Sequence, residues 1–166
     1  MSNRTSDCPP LLPPGEHVRS IEELRELCVA AFPLSTTRAA IWDGFRKIVD
    51  MLEAQQIPCE LLIDGSYLTE EIEPDDIDFA VVVPPWAYDS CDSAKRQLLD
   101  WIGDDKNIKA THLSDCYLSV DFKEGDAGWF EGYCDRQWWL RFYSKSVVYK
   151  RDRGVAIVKI AMDGEQ

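Results

Sequence analysis

Residues 61–83 read Leu-Leu-Ile-Asp-Gly-Ser-Tyr-Leu-Thr-Glu-Glu-Ile-Glu-Pro-Asp-Asp-Ile-Asp-Phe-Ala-Val-Val-Val, and this stretch decides the fold. An apolar run enters Gly65-Ser66, a polar excursion follows, and Asp76-Ile77-Asp78 opens a second apolar run that stops at Pro84-Pro85. Residues 59–63 and 77–83 are near-continuously apolar, the pattern of central strands covered on both faces. Around them the periodicity predicts a short helix from a Ser20-Ile-Glu-Glu23 capping box to near Phe32-Pro33. A longer helix runs from Thr36 or Thr37 to about Gln55, with Ile41, Phe45, Ile48 and Leu52 on one stripe. Further helices are predicted over 89–102 and 131–143, strands over 108–113 and 116–122, and a final strand over 155–162. The order predicts an α/β (α+β) domain with a mixed central sheet flanked by helices, spanning residues 15–166 behind an extended arm at 1–14.

The same stretch carries the chemistry. In a strand, side chains two apart share a face, so Asp76 and Asp78 would stand side by side with Cα atoms about 6 to 7 Å apart. Paired carboxylates suit a hard divalent cation such as Mg2+ or Mn2+, which takes oxygen ligands and keeps sites for phosphate. Gly65 allows close approach of backbone to a ligand, and Ser66 with neighbouring N–H groups would face an anion. A phosphate cradle beside paired carboxylates is the equipment of metal-dependent nucleotidyl transfer. Asp-Gly-Ser is also an ordinary turn, and Pro74-Asp75-Asp76 also starts strands for purely structural reasons. The combination weighs more than either half, because a carboxylate at the mouth of so apolar a strand is costly unless paired or metal-bound.

Gly-Ser followed by Asp-x-Asp leading into a hydrophobic strand resembles the polymerase-beta-like nucleotidyltransferase superfamily. Leu12-Pro13-Pro14-Gly15-Glu16-His17, residues 64–69, residues 74–78, and Phe142 with residues 150–158 extend the resemblance to DUF6932, a family of small bacterial proteins of unknown function within it. The resemblance implies a nucleotidyltransferase-like sheet, an NTP substrate, Mg2+ or Mn2+, and contacts to nucleotide from Gly65, Ser66, Thr69, Lys150 and Arg153. It departs from the minimal enzymes of toxin–antitoxin type in two ways. Tyr67-Leu68-Thr69 stands where a small residue and Arg-Gly usually follow Gly-Ser, and the nine intervening residues (67–75) are one fewer than usual. Arg153-Gly154 also replaces the usual Lys-Gly, a change that keeps the charge and adds a planar fork of donors.

Two-metal transfer asks for a third carboxylate on a neighbouring strand. Asp115 and Asp121 both qualify from the alternation along 115–122; the family-like pattern favours Asp115. Asp76, Asp78, Asp115 and Asp121 are therefore the catalytic candidates, with Asp76, Asp78 and Asp115 as metal ligands. His17 and His112 have no Cys or His neighbour at ligand spacing, and Glu70, Glu71 and Glu73 read as a solvated acidic loop. Trp138, Trp139, Phe142 and Tyr143 offer either a base-stacking face or, at helical spacing, a core or partner surface.

The formal charge of −12 speaks against broad, sequence-independent binding of extended nucleic acid. Residues 141–160 nevertheless hold a local balance of +5, which suits a triphosphate near the carboxylates. The six cysteines are scattered without a C-x-x-C pair, and no run of apolar residues reaches bilayer length, so a cytoplasmic location without membrane attachment is expected. The expected activity is transfer of NMP from an NTP to a hydroxyl of a protein, RNA or small molecule, in a toxin–antitoxin or defence system. The competing expectation is a non-catalytic nucleotide-binding or protein-interaction module on the same fold; a protein partner and homo-oligomer formation stay open.

Overall fold

A computed structural model of the chain describes residues 8–145 and 152–162. Lys150, expected at the nucleotide, lies outside the described residues. The described residues form a mixed sheet of five strands: β1 (Gly15–Val18), β2 (Cys59–Asp64), β3 (Ile77–Val83), β4 (Ser114–Val120) and β5 (Gly154–Ile160). Their spatial order is β1-β5-β2-β3-β4, with β1 parallel to β5, β3 parallel to β4, and antiparallel pairing of β5 with β2 and β2 with β3. The helices are α1 (Ile21–Arg25, continued by a π-helical stretch Glu26–Ala30), α2 (Arg38–Ala54), α3 (Pro85–Asp89), α4 (Ser93–Gly103), α5 (Asp105–His112) and α6 (Arg136–Tyr143). None of the helices among the described residues is long and apolar enough to cross a membrane.

The apolar strands are buried on both faces, as their composition requires. Leu61, Ile63, Phe79, Val81 and Val158 pack with Ile41, Phe45, Ile48 and Leu52 of α2, while Leu62, Ala80, Val82 and Ile157 pack with Trp139, Leu140 and Tyr143 of α6. The helical stripe expected on α2 is therefore its buried face, and Ser20 and Glu23 form both halves of the capping box on α1. Residues 8–14 of the expected arm dock on the domain. The Leu11 N–H donates to the Leu68 carbonyl at 2.8 Å, and Leu12 is buried.

Several boundaries differ from the sequence reading. Residues 108–113, expected as a strand, belong mostly to helix α5: Ile108 alone enters the core, and Leu113 closes the helix at φ 50°. The alternation in Ile-Lys-Ala-Thr-His-Leu resembles a strand because the helix has only one deeply buried position on so short a run. The helix expected over 89–102 is α4, which starts at Ser93; residue 89 instead ends a separate short helix, α3. Pro85, at the first position of α3, starts that helix just where β3 ends, and the Asp92 carboxylate accepts the Lys95 N–H at 2.9 Å to start α4. Helix α6 begins only at Arg136, where the Asp135 side chain accepts the Trp138 N–H at 2.7 Å. Strand β1 was not expected, since its four residues are mostly exposed and show no hydrophobic alternation.

Candidate functional site

Antiparallel pairing sets Asp64, the last residue of β2, opposite Asp78 near the start of β3. Parallel pairing sets Asp78 opposite Asp115 near the start of β4. Three carboxylates thus stand abreast on adjacent strands at one end of the sheet, with neighbouring backbones about 5 Å apart. Alternation turns this row toward the α6 face, since Leu62, Ala80 and Val82 share it. Asp76, one residue before β3, joins the row from the loop. The Lys109 ammonium of α5 lies between Asp76 and Asp115, at 2.7 Å from Asp76 Oδ2 and 3.0 Å from Asp115 Oδ2.

Burial and mutual repulsion act strongly on this row. Burial first, then the charges of Asp76, Asp115 and Asp64, push the Asp78 carboxyl from its ordinary 3.8 up to about 7. The Asp64 carboxyl is pushed up to about 6 by burial, partly offset by the Arg153 guanidinium and a hydrogen bond from the Gly65 backbone. Asp64 is 7% exposed, and its Oδ1 has no hydrogen-bond partner among the described residues. Tyr143 of α6 comes over the same row: burial and the charges of Asp78, Tyr117, Asp64 and Asp115 raise its phenol, and its buried hydroxyl also has no partner among the described residues. Buried polar groups are nearly always hydrogen-bonded, so two such groups beside four carboxylates make this end of the sheet the candidate site.

The Gly65 turn is part of this construction. Gly65 has φ 84° and ψ −168°, a region that only glycine visits readily, and a Cβ there would fall 1.9 Å from Asp78 Oδ2. Only a bare Cα lets β2 turn away without pushing the Asp78 carboxylate aside. Gly65→Ala is expected to lower stability by about 1–3 kcal/mol through backbone strain alone. Urea unfolding of the substituted protein checks this, and an unchanged midpoint would mean that the turn does not hold the conformation seen here. After Gly65 the chain makes a 3-10 turn, Ser66–Leu68. The Thr69 hydroxyl donates to the Ser66 carbonyl at 2.7 Å, so its proton serves the turn, and Thr69 is buried rather than presented to a ligand.

Other sequence candidates take other places. Asp121 lies beyond the far end of β4, about 20 Å along the strand from Asp115. There its carboxylate accepts from Lys123 Nζ at 2.7 Å and from the Arg136 N–H at the start of α6 at 3.0 Å. The structure therefore brings Asp115, and not Asp121, to Asp78. Within the basic stretch, Arg153 acts on Asp64, whereas Lys159 sits 3.9 Å from Glu60 toward the other end of β2. His17 donates from Nε2 to the Pro13 carbonyl at 2.7 Å, and His112 ends α5 with its ring against Trp101. Glu73 is exposed, as expected of a solvated loop, and it also accepts the N–H groups of Thr36 at 2.9 Å and Thr37 at 3.0 Å just before α2, which hold its carboxyl below the usual range. The six cysteines form no disulfide, and burial pushes the Cys28 and Cys59 thiols up to about 12, where they are inert.

Sequence reasoning missed Asp64 and Lys109 as members of this site, and it read Tyr143 as part of a stacking face or core without connecting it to the carboxylates. Asp64 was detectable, because two strands joined by a short excursion pair antiparallel and set the last residue of one against the first of the other. The donor set, all carboxylate oxygen, fits Mg2+ or Mn2+ by hardness. Among the described residues, however, no three of the His, Cys, Asp or Glu side chains converge closely enough to hold an ion as they stand.

Compared with known proteins, the chain matches DUF6932, a family of unknown function, over residues 5–161, and it belongs to that family. No curated protein and no solved structure matches it.

Proposed function

We propose that the protein is a metal-dependent nucleotidyltransferase that moves the NMP part of an NTP onto a hydroxyl group. The observation that supports this most is the in-register row Asp64–Asp78–Asp115, joined by Asp76 and containing a buried carboxylate oxygen without a partner. Asp76, Asp78 and Asp115 would hold the divalent cation, with Asp64 behind them. Once bound, the cation would neutralise phosphate charge and lower the pKa of the attacking hydroxyl. The hydroxyl oxygen attacks the α-phosphorus, the bond to the bridging oxygen of the β-phosphate breaks, and pyrophosphate leaves. The hydroxyl proton passes to a carboxylate of the row. The backbone at Gly65 and Ser66 admits the phosphates closely, and Arg153 supplies a fixed positive charge on the β5 side. The acceptor class, and any place in a toxin–antitoxin or defence system, rest on the family resemblance alone.

The second reading is a nucleotide-binding or protein-interaction module without catalysis. It is favoured by the Lys109 ammonium, which already neutralises Asp76 and Asp115 without a metal. Incubation with each labelled NTP, Mg2+ or Mn2+, and a cell lysate as acceptor source separates the two. Transfer of label that disappears in both Asp76→Ala and Asp78→Ala, with the fold intact, is the expected result. Thermal stabilisation by NTP without transfer selects the module. Full activity in either variant would sink the assignment of these carboxylates, and indifference to every nucleotide would sink the enzyme and the nucleotide-binding module together and leave the protein-interaction module.

A further inference from the structure

The position of Lys109 has a bearing on how this site takes up its cation. Its Nζ makes two close ion pairs, with Asp76 at 2.7 Å and with Asp115 at 3.0 Å. Asp76 contributes a side chain only 10% exposed, so its charge has little access to water and depends on that ammonium. The Lys109 side chain itself is 53% exposed, on a four-carbon stem that reaches the row from outside. It can therefore swing into solvent by rotation of its own side chain. Helix α5 has no need to move, and its end is seated closely on α2: a Cβ at Gly44 would fall 1.9 Å from the His112 carbonyl oxygen.

We infer that Lys109 is a built-in competitor for the divalent cation, a tethered positive charge that occupies the gap between Asp76 and Asp115 until a metal ion displaces it. Two independent features agree. Asp64, Asp78 and Asp115 are set abreast by the register of three strands, which does not depend on the lysine. The gap between Asp76 and Asp115 is filled by the ammonium itself, and the buried Asp64 Oδ1 in the same row has no hydrogen-bond partner among the described residues. A lysine that helped to bind metal would stand outside the carboxylates, facing phosphate. This one stands between them, where two like charges would otherwise repel. The consequence is a site with low affinity for free cation, filled when a ligand brings enough added negative charge to draw the ammonium away. The inference rests on the metal-dependent reading of the site.

The test is Mn2+ binding, measured by calorimetry and by the electron-spin signal of free Mn2+, on the full chain without nucleotide. Lys109→Met and Lys109→Gln should each bind Mn2+ at least about tenfold more tightly than wild type, the order expected when a partly buried ion pair no longer competes. Asp78→Asn should abolish binding in all backgrounds. Equal or weaker Mn2+ affinity in both lysine variants, with binding still lost in Asp78→Asn, would overturn the competition and leave the metal site standing. Absence of Mn2+ binding in wild type and in both folded lysine variants would overturn the metal-dependent reading and the competition with it. Circular dichroism on each variant shows that the comparison is between folded proteins, and agreement between Met and Gln excludes a packing effect peculiar to one side chain.

Discussion

Arg38→Met should remove about 3–5 kcal/mol of stability, the range seen when one side of a buried charged network is deleted. Arg38 is 1% exposed, yet its guanidinium makes no ion pair with a carboxylate among the described residues. Its partners are backbone carbonyls: Cys28 and Tyr67 each at 2.9 Å from Nη1, Thr69 at 2.8 Å and Glu71 at 2.6 Å from Nη2, and Glu71 again at 3.1 Å from Nε. The plane also lies over the Phe32 ring, 3.7 Å from its centroid. Burial lowers its pKa, but an arginine has so far to fall that it stays charged. Methionine fills similar space and returns none of the donors, so four carbonyls around a buried cavity lose theirs together. Three of the four belong to residues 67–71, which connect the Gly65 turn to Asp76, so the damage falls on the loop that aligns the site. Urea unfolding is the direct measurement. A loss below about 1 kcal/mol would show that water replaces the guanidinium without penalty, contrary to its burial. Arg38→Lys should recover only part of the loss, because three donors on a point charge cannot span the five bonds of a planar fork.

Asp78→Asn should act in the opposite direction on stability while destroying transfer and Mn2+ binding. The sign follows from proton linkage. The Asp78 carboxyl titrates near its ordinary 3.8 when unfolded and at about 7 when folded. Between those values the folded protein holds a proton that the unfolded chain releases, so this group stabilises the fold at low pH. That contribution fades as pH rises toward 7 and is gone above it. Asp64, raised to about 6, adds a shift of the same sign. At pH 8, without divalent cation, the native protein must keep an ionised Asp78 among three other carboxylates. The isosteric amide removes that repulsion. In buffer containing a chelator, Asp78→Asn should exceed wild type by about 2 kcal/mol at pH 8, a figure set below the full linkage value because Lys109 and partial solvation relieve the repulsion. The difference should close as pH falls toward 5. Urea melts of both proteins at intervals from pH 5 to 8 test this, and an asparagine variant less stable than wild type at pH 8 would refute the repulsion.

The two central strands β2 and β3 were legible because they are near-continuously apolar. Residues 59–63 and 77–83 admit no amphipathic helix, and their abrupt ends at Gly65 and Pro84 mark turns. Helix α2 was equally plain, since Ile41, Phe45, Ile48 and Leu52 repeat at helical spacing and all four are fully buried. Strand geometry predicts Asp76 beside Asp78, and the structure places Asp76 one residue outside β3 with its charge acting on Asp78. What brings Asp64 and Asp115 beside them is register between strands: the short connection from β2 to β3 signals the first, whereas no local signal fixes β4 against β3. Lys109 was hidden by the misreading of residues 108–113 as a strand: within that run Ile108 is the one deeply buried side chain, which leaves no usable period. Arg38 left no signal either, because its partners are carbonyls, which every residue possesses.

The position of β5 carries a consequence for how the protein comes into being. It is the last of the five strands in the chain, yet it lies between β1 and β2. During synthesis the outer edge of β2 stays without its neighbour while roughly 90 residues, from the end of β2 to the start of β5, are added. At about 5–20 residues per second this lasts on the order of 5–20 s. Throughout that interval an apolar strand edge is open to the wrong partner, and β1 has nothing to pair with. Arg153 arrives with β5 too, so the carboxylate row lacks its compensating charge on that side until the sheet closes. Vectorial synthesis thus makes the nascent chain vulnerable longest at the centre of its own sheet, and places the demand for chaperone protection there.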